Sequence, residues 1–185
     1  MIDLPAPMSG EGCRAEPFAE RHRAALKAAC AEDRDIWAMY STSYDPEHFD
    51  DSIEALIVDP HNRLFVLFEG DELAGMSAYL ALYPARQTLE IGSTYYRPHV
   101  RGTGFNRRVK AMMLERAFAC GFRRVKFCVD IRNQRSQAAM KKLGAVREGV
   151  LRADRITWTG HVRDTVLFAI LKDEWPIPGP LARDH

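Results

Sequence analysis

The chain carries almost no net charge, although it is rich in charged residues. Its 26 Lys and Arg residues nearly balance its 25 Asp and Glu residues, which gives a formal net charge of +1. Binding to nucleic acid or to an anionic membrane is driven largely by an excess of basic residues. We therefore predict a protein that binds neither nucleic acid nor a membrane.

A regular pattern of metal ligands is also missing. The 4 cysteines show no Cys-x-x-Cys pair, and the 6 histidines form no His-x-x-x-His or Cys/His cluster. Structural zinc sites and disulfide frameworks both depend on such spacing. We predict that the protein needs no metal and that its thiols stay reduced in the cytoplasm.

Long hydrophobic runs are absent too, both inside the chain and at its start. No apolar stretch reaches about 18 residues, the length of a membrane span. The N-terminal MIDLPAPMSGEG lacks the basic end and the apolar run of a secretory signal. The 185 residues, of which 46% are hydrophobic, suit one globular domain. We predict a flexible segment at 1–11, a domain at 12–176 and a tail at 177–185.

The sequence does contain a glycine loop, Arg101-Gly102-Thr103-Gly104-Phe105-Asn106, between a predicted strand and a predicted helix. Its two glycines permit positive φ angles, and the N-terminus of the helix attracts anions. A dinucleotide fingerprint needs Gly or Ala at position 107, which is Arg, and a Walker loop needs a Gly-Lys-Ser/Thr ending that is absent. An anion site and a plain strand-to-helix turn both explain the loop.

Hydrophobic periodicity on both sides of the loop predicts a mixture of helices and strands. We predict helices at 17–31, 47–58, 105–120 and 134–143, and strands at 64–69, 73–83, 88–96, 125–130, 146–157 and 162–171. The helix between the strands at 88–96 and 125–130 makes these two strands parallel. Alternation along the first of them puts Glu90 and Thr94 on one face, and Lys110 lies outside the apolar stripe of the following helix.

This order of elements, with the loop at 101–106, resembles the GNAT superfamily of acetyl-CoA-dependent N-acetyltransferases. The resemblance also rests on Asn133-Gln134-Arg135-Ser136 and on the Lys-Leu-Gly-Ala-Val-Arg-Glu-Gly run at 142–149. It looks closest to the RimJ/RimL-type branch, which the closing segments at 163–166 and 173–176 support. It implies an α/β (α+β) fold: a mixed, mostly antiparallel sheet of about six to seven strands, flanked by about four helices, with a splayed parallel central pair.

The resemblance further implies an activity. The protein would transfer the acetyl group of acetyl-CoA to a primary amine by direct attack in a ternary complex. The acceptor would be a protein N-terminal α-amine or a small-molecule amine, and the protein would be a monomer or a homodimer. The alternative is a protein that keeps the fold but only binds acyl-CoA or acts as a scaffold, because function resides in a site and not in a fold.

The same resemblance assigns the residues that bind acetyl-CoA. The glycine loop would hold the pyrophosphate through backbone amides, although Asn106 stands where related proteins have a small residue. The pantetheine arm would lie between the splayed strands, as a peptide does in β-augmentation, with Asn133 on the far wall. Asn133 is equally explained as a helix cap. The implied set is Thr94, Tyr96, Arg101, Gly102, Thr103, Gly104, Phe105, Asn106 and Asn133.

Two residues are candidates for acid–base chemistry. The acceptor ammonium must lose a proton before it attacks, which is easier for an α-amine than for a lysine, and Glu90 is the candidate base. A salt-bridged or exposed strand carboxylate is the alternative for Glu90, and Asp154 beside Arg155 is a second candidate. The resemblance implies that Ser136 protonates the leaving thiolate. The alternative is a first-turn helix residue bonded to the backbone.

An acceptor groove would be built from residues 34–62 and the last hairpin. Its aromatic and histidine side chains are also explained as core or rim residues, and nothing in their spacing selects a substrate. These residues are Tyr40, Tyr44, Phe49, Trp158 and His161.

Overall fold

An eight-stranded sheet organises the chain in the computed structural model, which describes residues 3–175. The strands lie in the spatial order β1-β2-β3-β4-β5-β6-β8-β7, and every neighbouring pair is antiparallel except β5 and β6. The strands are β1 Met8–Gly10, β2 Cys13–Pro17, β3 Arg63–Glu69, β4 Glu72–Tyr83, β5 Thr88–Tyr96, β6 Arg124–Asp130, β7 Val146–Ile156 and β8 Val162–Leu171.

Four α-helices cover the two faces of the sheet. They are α1 Arg23–Cys30, α2 Phe49–Val58, α3 Phe105–Ala119 and α4 Gln134–Lys142. Helices α3 and α4 pack on one face, which we call the first face, and α1 and α2 pack on the second face. Helix α2 shows why, since Phe49, Ile53 and Leu56 recur at helical spacing and are all buried.

The predicted fold is confirmed, and its differences from the sequence prediction lie near the N-terminus. The segment predicted as flexible contains β1, whose Met8 is buried and which pairs with β2. The helix predicted at 17–31 is shorter, because Pro17 ends β2 and a 3₁₀ turn, Glu20–His22, precedes α1. The strand β1 has three residues, too few to show the alternation of a strand in the sequence. Only its pairing with β2 identifies it as a strand. With β1 and β2 added to the six predicted strands, the sheet has eight strands.

The central parallel pair separates soon after it starts. Pairing between β5 and β6 is confined to Thr88 with Arg124, Leu89 with Val125, and Glu90 with Lys126. Both strands continue well beyond these pairs. We call the wedge between their unpaired parts the strand gap. The splayed parallel pair is thus confirmed.

A β-bulge at Ser93 reverses the alternation along β5. Ser93 has a φ of +46°, and Met76 pairs with Tyr95 whereas Ala78 pairs with Gly92. Two residues of β5 therefore oppose one residue of β4. Leu89 and Ile91 lie in the first-face core, but Tyr95 lies in the second-face core.

The bulge corrects one prediction about β5. Thr94 contacts Lys110 of α3 and so points to the first face, whereas Glu90 alternates with the first-face Leu89 and points to the second. The prediction that Glu90 and Thr94 share a face is wrong. A bulge inserts one residue into the ladder, and a pattern with a period of two cannot reveal it in advance.

Two further observations concern partners outside the chain. No helix within residues 3–175 has the length and apolar character needed to cross a membrane. Over the same residues, no three His, Cys, Asp or Glu side chains lie close enough to hold a metal ion. The predicted tail at 177–185, like residue 176, lies outside the described residues.

Candidate functional site

The glycine loop adopts a conformation that suits an anion. Gly102 and Gly104 have φ values of +84° and +83°, in the left-handed region that favours glycine. Gly104 is the N-cap of the 15-residue helix α3 and provides no side-chain cap. The first N–H groups of a helix have no partner inside it, and the helix dipole is positive at this end. The loop therefore presents donors and partial positive charge at one place.

The larger side chains of the loop have structural contacts. Arg101 donates through Nε to the Tyr96 carbonyl at 2.8 Å and pairs with Asp33 through Nη1. Phe105 is fully buried and meets the Tyr96 ring edge-on at 5.6 Å. The Thr103 hydroxyl donates to the Val100 carbonyl at 2.9 Å. These contacts shape the loop, so a ligand there would meet mainly its backbone.

Buried polar atoms without a partner collect beside this loop. Within the described residues there are four such side-chain atoms, and three are Tyr96 Oη, Arg101 Nη2 and Arg108 Nε. Leaving a buried donor unpaired costs roughly 1–3 kcal/mol. All three groups can donate, and two belong to guanidinium groups, which bind phosphates well. The donor set therefore fits an anionic ligand at the loop.

Thr94 is held from both sides of the sheet. Its carbonyl accepts a hydrogen bond from the Tyr40 hydroxyl at 2.7 Å. Its own hydroxyl lies 2.7 Å from Ser77 Oγ and 2.6 Å from Lys110 Nζ. The carbonyls of Thr94 and Tyr96 thus each accept one hydrogen bond from a side chain. Backbone contacts to a ligand in the strand gap remain a prediction.

Lys110 is a buried cation beside Thr94 whose burial the sequence pattern does not predict. The pattern predicts a position outside the apolar stripe of its helix, yet only 4% of its surface is exposed. Burial lowers the pKa of Lys110 from 10.5 to about 7, and the negative charge of Glu90 opposes part of that shift. Lys110 faces the sheet, because its amine contacts Ser77 of β4, Thr94 of β5 and Phe127 of β6. A helical wheel therefore misplaces this lysine.

Glu90 lies on the second face among compensating groups. It is 5% exposed, and its Oε2 accepts from the Cys128 thiol at 3.3 Å. Lys126 Nζ and Arg155 Nη2 each lie 3.8 Å from the same oxygen. Burial raises the pKa of Cys128 to about 12, so its sulfur keeps the proton that it donates. Asp154 pairs with Arg155 at 3.2 Å and is linked to Glu90 through it.

Asn133 and Ser136 lie at the N-terminal end of helix α4, just beyond the end of β6. Asn133 Oδ1 accepts from the backbone N–H of Ser136 at 2.9 Å, so Asn133 is the N-cap. This confirms that Asn133 caps the helix. A contact between Asn133 and a ligand stays a prediction. Ser136 is half-buried. Its proposed role as an acid also stays a prediction.

The last hairpin docks on the segment before α2. Trp158 donates through Nε1 to the Trp37 carbonyl at 2.8 Å, and its backbone N–H donates to the Ser41 carbonyl at 3.0 Å. Arg163, which is buried, bonds Ser41 and also Thr165 Oγ1 at 3.1 Å. Of the predicted groove residues, Tyr44 and Phe49 belong to the core, Trp158 and His161 are exposed, and Tyr40 binds Thr94.

Known proteins share this architecture. The family model described as Acetyltransferase (GNAT) family matches residues 30–145. A probable acetyltransferase (GNAT family) from Chromobacterium violaceum ATCC 12472 is 28% identical, with a TM-score of 0.86, over 92% of this chain and 88% of that chain. A T. thermophilus protein assigned as an acetyltransferase is 34% identical, with a TM-score of 0.85, over 95% of this chain and 94% of that chain.

A more distant structure shares the fold. Mycobacterium smegmatis RimJ, solved in complex with CoA-disulfide, has a TM-score of 0.81 and 20% identity over 94% of this chain and 90% of that chain. No curated protein sequence matched the chain. Since the family model spans more than half of the sequence and the splayed sheet agrees with it, the chain belongs to the GNAT family of acetyltransferases.

Proposed function

We propose that this protein is an N-acetyltransferase that moves the acetyl group of acetyl-CoA to a primary amine by direct attack in a ternary complex. One observation carries the proposal. The strand gap opens toward a glycine loop beside which Tyr96, Arg101 and Arg108 keep buried polar atoms without partners. A gap that can hold an extended chain thus lies next to a loop that can bind an anion. Acetyl-CoA contains both an extended pantetheine arm and a pyrophosphate.

The two parts of the site would hold different parts of acetyl-CoA. The backbone of Gly102 to Asn106 and the N-terminus of α3 would bind the pyrophosphate. The unpaired edges of β5 and β6 would bind the pantetheine arm through main-chain groups. When bound, acetyl-CoA supplies an activated acyl thioester. The Asn133 amide, apart from capping α4, would face the arm from the side of β6.

Glu90 and Ser136 would manage the protons. Glu90 would accept a proton from the acceptor ammonium, directly or through water, on the second face. Lys126 and Arg155 each lie 3.8 Å from its carboxyl and would hold it in place on this face. Ser136 would donate a proton to the departing thiolate. Asp154, which pairs with Arg155, is the second candidate base.

The acceptor belongs to one of two classes in this proposal. A protein N-terminal α-amine would place the enzyme in the RimJ/RimL-like branch, for which the shared fold of the RimJ structure is the support. A small-molecule amine is the other class. In either case we propose a cytoplasmic enzyme, monomeric or homodimeric, that needs no metal.

Titration calorimetry with acetyl-CoA tests the binding half of this proposal. The unaltered chain should bind it saturably, and Gly104→Trp should abolish binding because it blocks the loop and cannot easily adopt a φ of +83°. Gly121→Trp is the matched control. Its glycine has a φ of +91°, lies in open space and follows the opposite end of α3. Binding that survives Gly104→Trp would refute the assignment of the loop.

Release of free thiol from acetyl-CoA tests the catalytic half. A panel of peptides with free N-termini and a panel of small amines should differ in rate, and the faster panel identifies the acceptor class. Saturable binding with no thiol release from either panel would instead favour an acyl-CoA-binding or scaffold protein that keeps the fold.

A further inference from the structure

A single amine bridges the two splayed strands on the first face. Lys110 Nζ bonds Thr94 Oγ1 of β5 at 2.6 Å and Ser77 Oγ of β4 at 3.4 Å. It also lies 5.8 Å from the centre of the Phe127 ring of β6. Helix α3 therefore brings one amine to both walls of the strand gap.

The amine lies beside the unpaired parts of the two strands. The last paired residues are Glu90 and Lys126, and Phe127 is the next residue of β6. On β5, Thr94 lies beyond the bulge at Ser93, in the part of the strand that does not pair with β6. Lys110 therefore contacts the unpaired part of both strands, within the strand gap.

The surroundings of Lys110 leave its charge largely uncompensated. Its two hydrogen bonds within the described residues go to the hydroxyl groups of Ser77 and Thr94, and its aromatic neighbour Phe127 is also neutral. The charged group that acts on it is Glu90, which points to the other face of β5. A further acceptor placed beside this amine would favour its protonated form.

The direction of a ligand in the gap decides which part of it reaches Lys110. The glycine loop follows the carboxyl end of β5, whereas the closed end of the gap lies toward the amino half of that strand. An extended ligand anchored by phosphates at the loop runs from the open end of the gap toward the closed end. Its far end, which in acyl-CoA is the thioester, approaches Lys110.

On the basis of the acetyl-CoA-dependent function proposed above, we propose that Lys110 is an acyl-binding residue, whose amine donates a hydrogen bond to the thioester carbonyl oxygen in the strand gap. Free CoA has no such oxygen. Lys110 therefore favours acetyl-CoA over CoA, and it places a donor where negative charge develops during transfer. Thr94 and Ser77 orient the amine for this contact.

Calorimetry with two ligands tests the proposal. Lys110→Met keeps the length of the side chain and removes its donor. The ratio of the CoA Kd to the acetyl-CoA Kd should fall roughly tenfold, the typical loss for a hydrogen bond from a charged group. The matched control is Tyr79→Phe, which removes another buried bond between β4 and α3, from Tyr79 Oη to the Met113 carbonyl at 2.7 Å. The control should leave the ratio unchanged.

The outcomes separate this inference from the proposed function. If the unaltered chain fails to bind acetyl-CoA, both are overturned. If it binds acetyl-CoA and Lys110→Met leaves the ratio within about twofold, the acyl-binding role alone is overturned, since a hydrogen bond to a charged group is worth more than that.

A second measurement needs no folded variant. NMR titration of isotope-labelled lysine amines in the unaltered chain should show one amine with a midpoint near pH 7, which is Lys110. Saturating acetyl-CoA should move this midpoint upward, because a carbonyl acceptor favours the charged amine, and CoA should move it less. Equal midpoints with the two ligands would contradict the proposal.

Discussion

The two faces of the sheet at the strand gap treat buried charge in opposite ways. On the first face, the partners of Lys110 among residues 3–175 are neutral, and burial lowers its pKa. On the second face, Glu90 has two cations at 3.8 Å and a thiol donor at 3.3 Å. Burial alone therefore does not determine how a charged group behaves. The groups within reach of it do.

The same comparison separates the roles proposed for the two faces. The compensated carboxylate of Glu90 suits proton transfer from an acceptor that arrives on the side of α1 and α2. The amine of Lys110, which gains from an added acceptor, suits binding of a carbonyl oxygen on the side of α3. Each of the following predictions tests one side of this contrast.

The largest expected effect is on the pH dependence of stability, through Lys110. The unfolded lysine keeps its proton up to about pH 10.5, but the folded one loses it near pH 7. Unfolding thus takes up a proton between these values, and the folded state gains stability as the pH rises. Relative to Lys110→Met, the unfolding free energy of the unaltered chain should rise by about 1.4 kcal/mol per pH unit in this window.

Urea denaturation at several pH values measures that slope. Tyr79→Phe serves as the control, because it removes a buried hydrogen bond without removing an amine, and its difference from the unaltered chain should be constant from about pH 7 to 9. If the difference in unfolding free energy between Lys110→Met and the unaltered chain does not change with pH, the two faces do not differ as described.

The next effect concerns the carboxyl on the second face. Glu90→Gln should lower kcat/KM by roughly 100-fold near neutral pH, the low end for loss of a general base. It should also flatten the alkaline-rising limb of the pH–rate curve. Glu148→Gln is the matched control, since Glu148 is a paired carboxylate on β7 that bonds Arg124. An unchanged limb in Glu90→Gln would remove Glu90 as the base and leave Asp154 as the candidate.

The smallest effect is expected for Ser136, at the N-terminal end of α4. Ser136→Ala should lower turnover by at most roughly the 100-fold expected for Glu90→Gln and change acetyl-CoA affinity little, since it removes one proton donor and leaves the backbone bond to Asn133 intact. Steady-state kinetics and calorimetry measure the two quantities. Equal losses of turnover and affinity would indicate that Ser136 has only a structural role.

Much of the architecture was predictable from local patterns. The apolar spacing of Phe49, Ile53 and Leu56 predicts α2, and the helix between β5 and β6 predicts their parallel arrangement. The glycines at 102 and 104 predict backbone in the left-handed region. Each of these signals lies within a few residues of sequence or follows from chain connectivity, and for this reason it can be read from one sequence.

Other features depend on residues that are distant in the sequence. The strand β1 forms because Met8 and its neighbours pair with β2 and contact α3. Arg101 is held by an ion pair with Asp33, and the carbonyl of Thr94 accepts a hydrogen bond from Tyr40. No local pattern contains these partners. The family resemblance therefore assigns Arg101 and Thr94 to a ligand site, but the sequence does not show which contacts hold them.

The sequence by itself determined the order of elements, the glycine loop and, through resemblance, the family. Tertiary structure alone decided which charged groups meet at the strand gap. The bulge at Ser93 turns Thr94 to the first face, and the packing of α3 buries Lys110 against it. Both follow from contacts between segments far apart in the chain, and the free energy of a buried charge depends on those contacts more than on its neighbours in sequence.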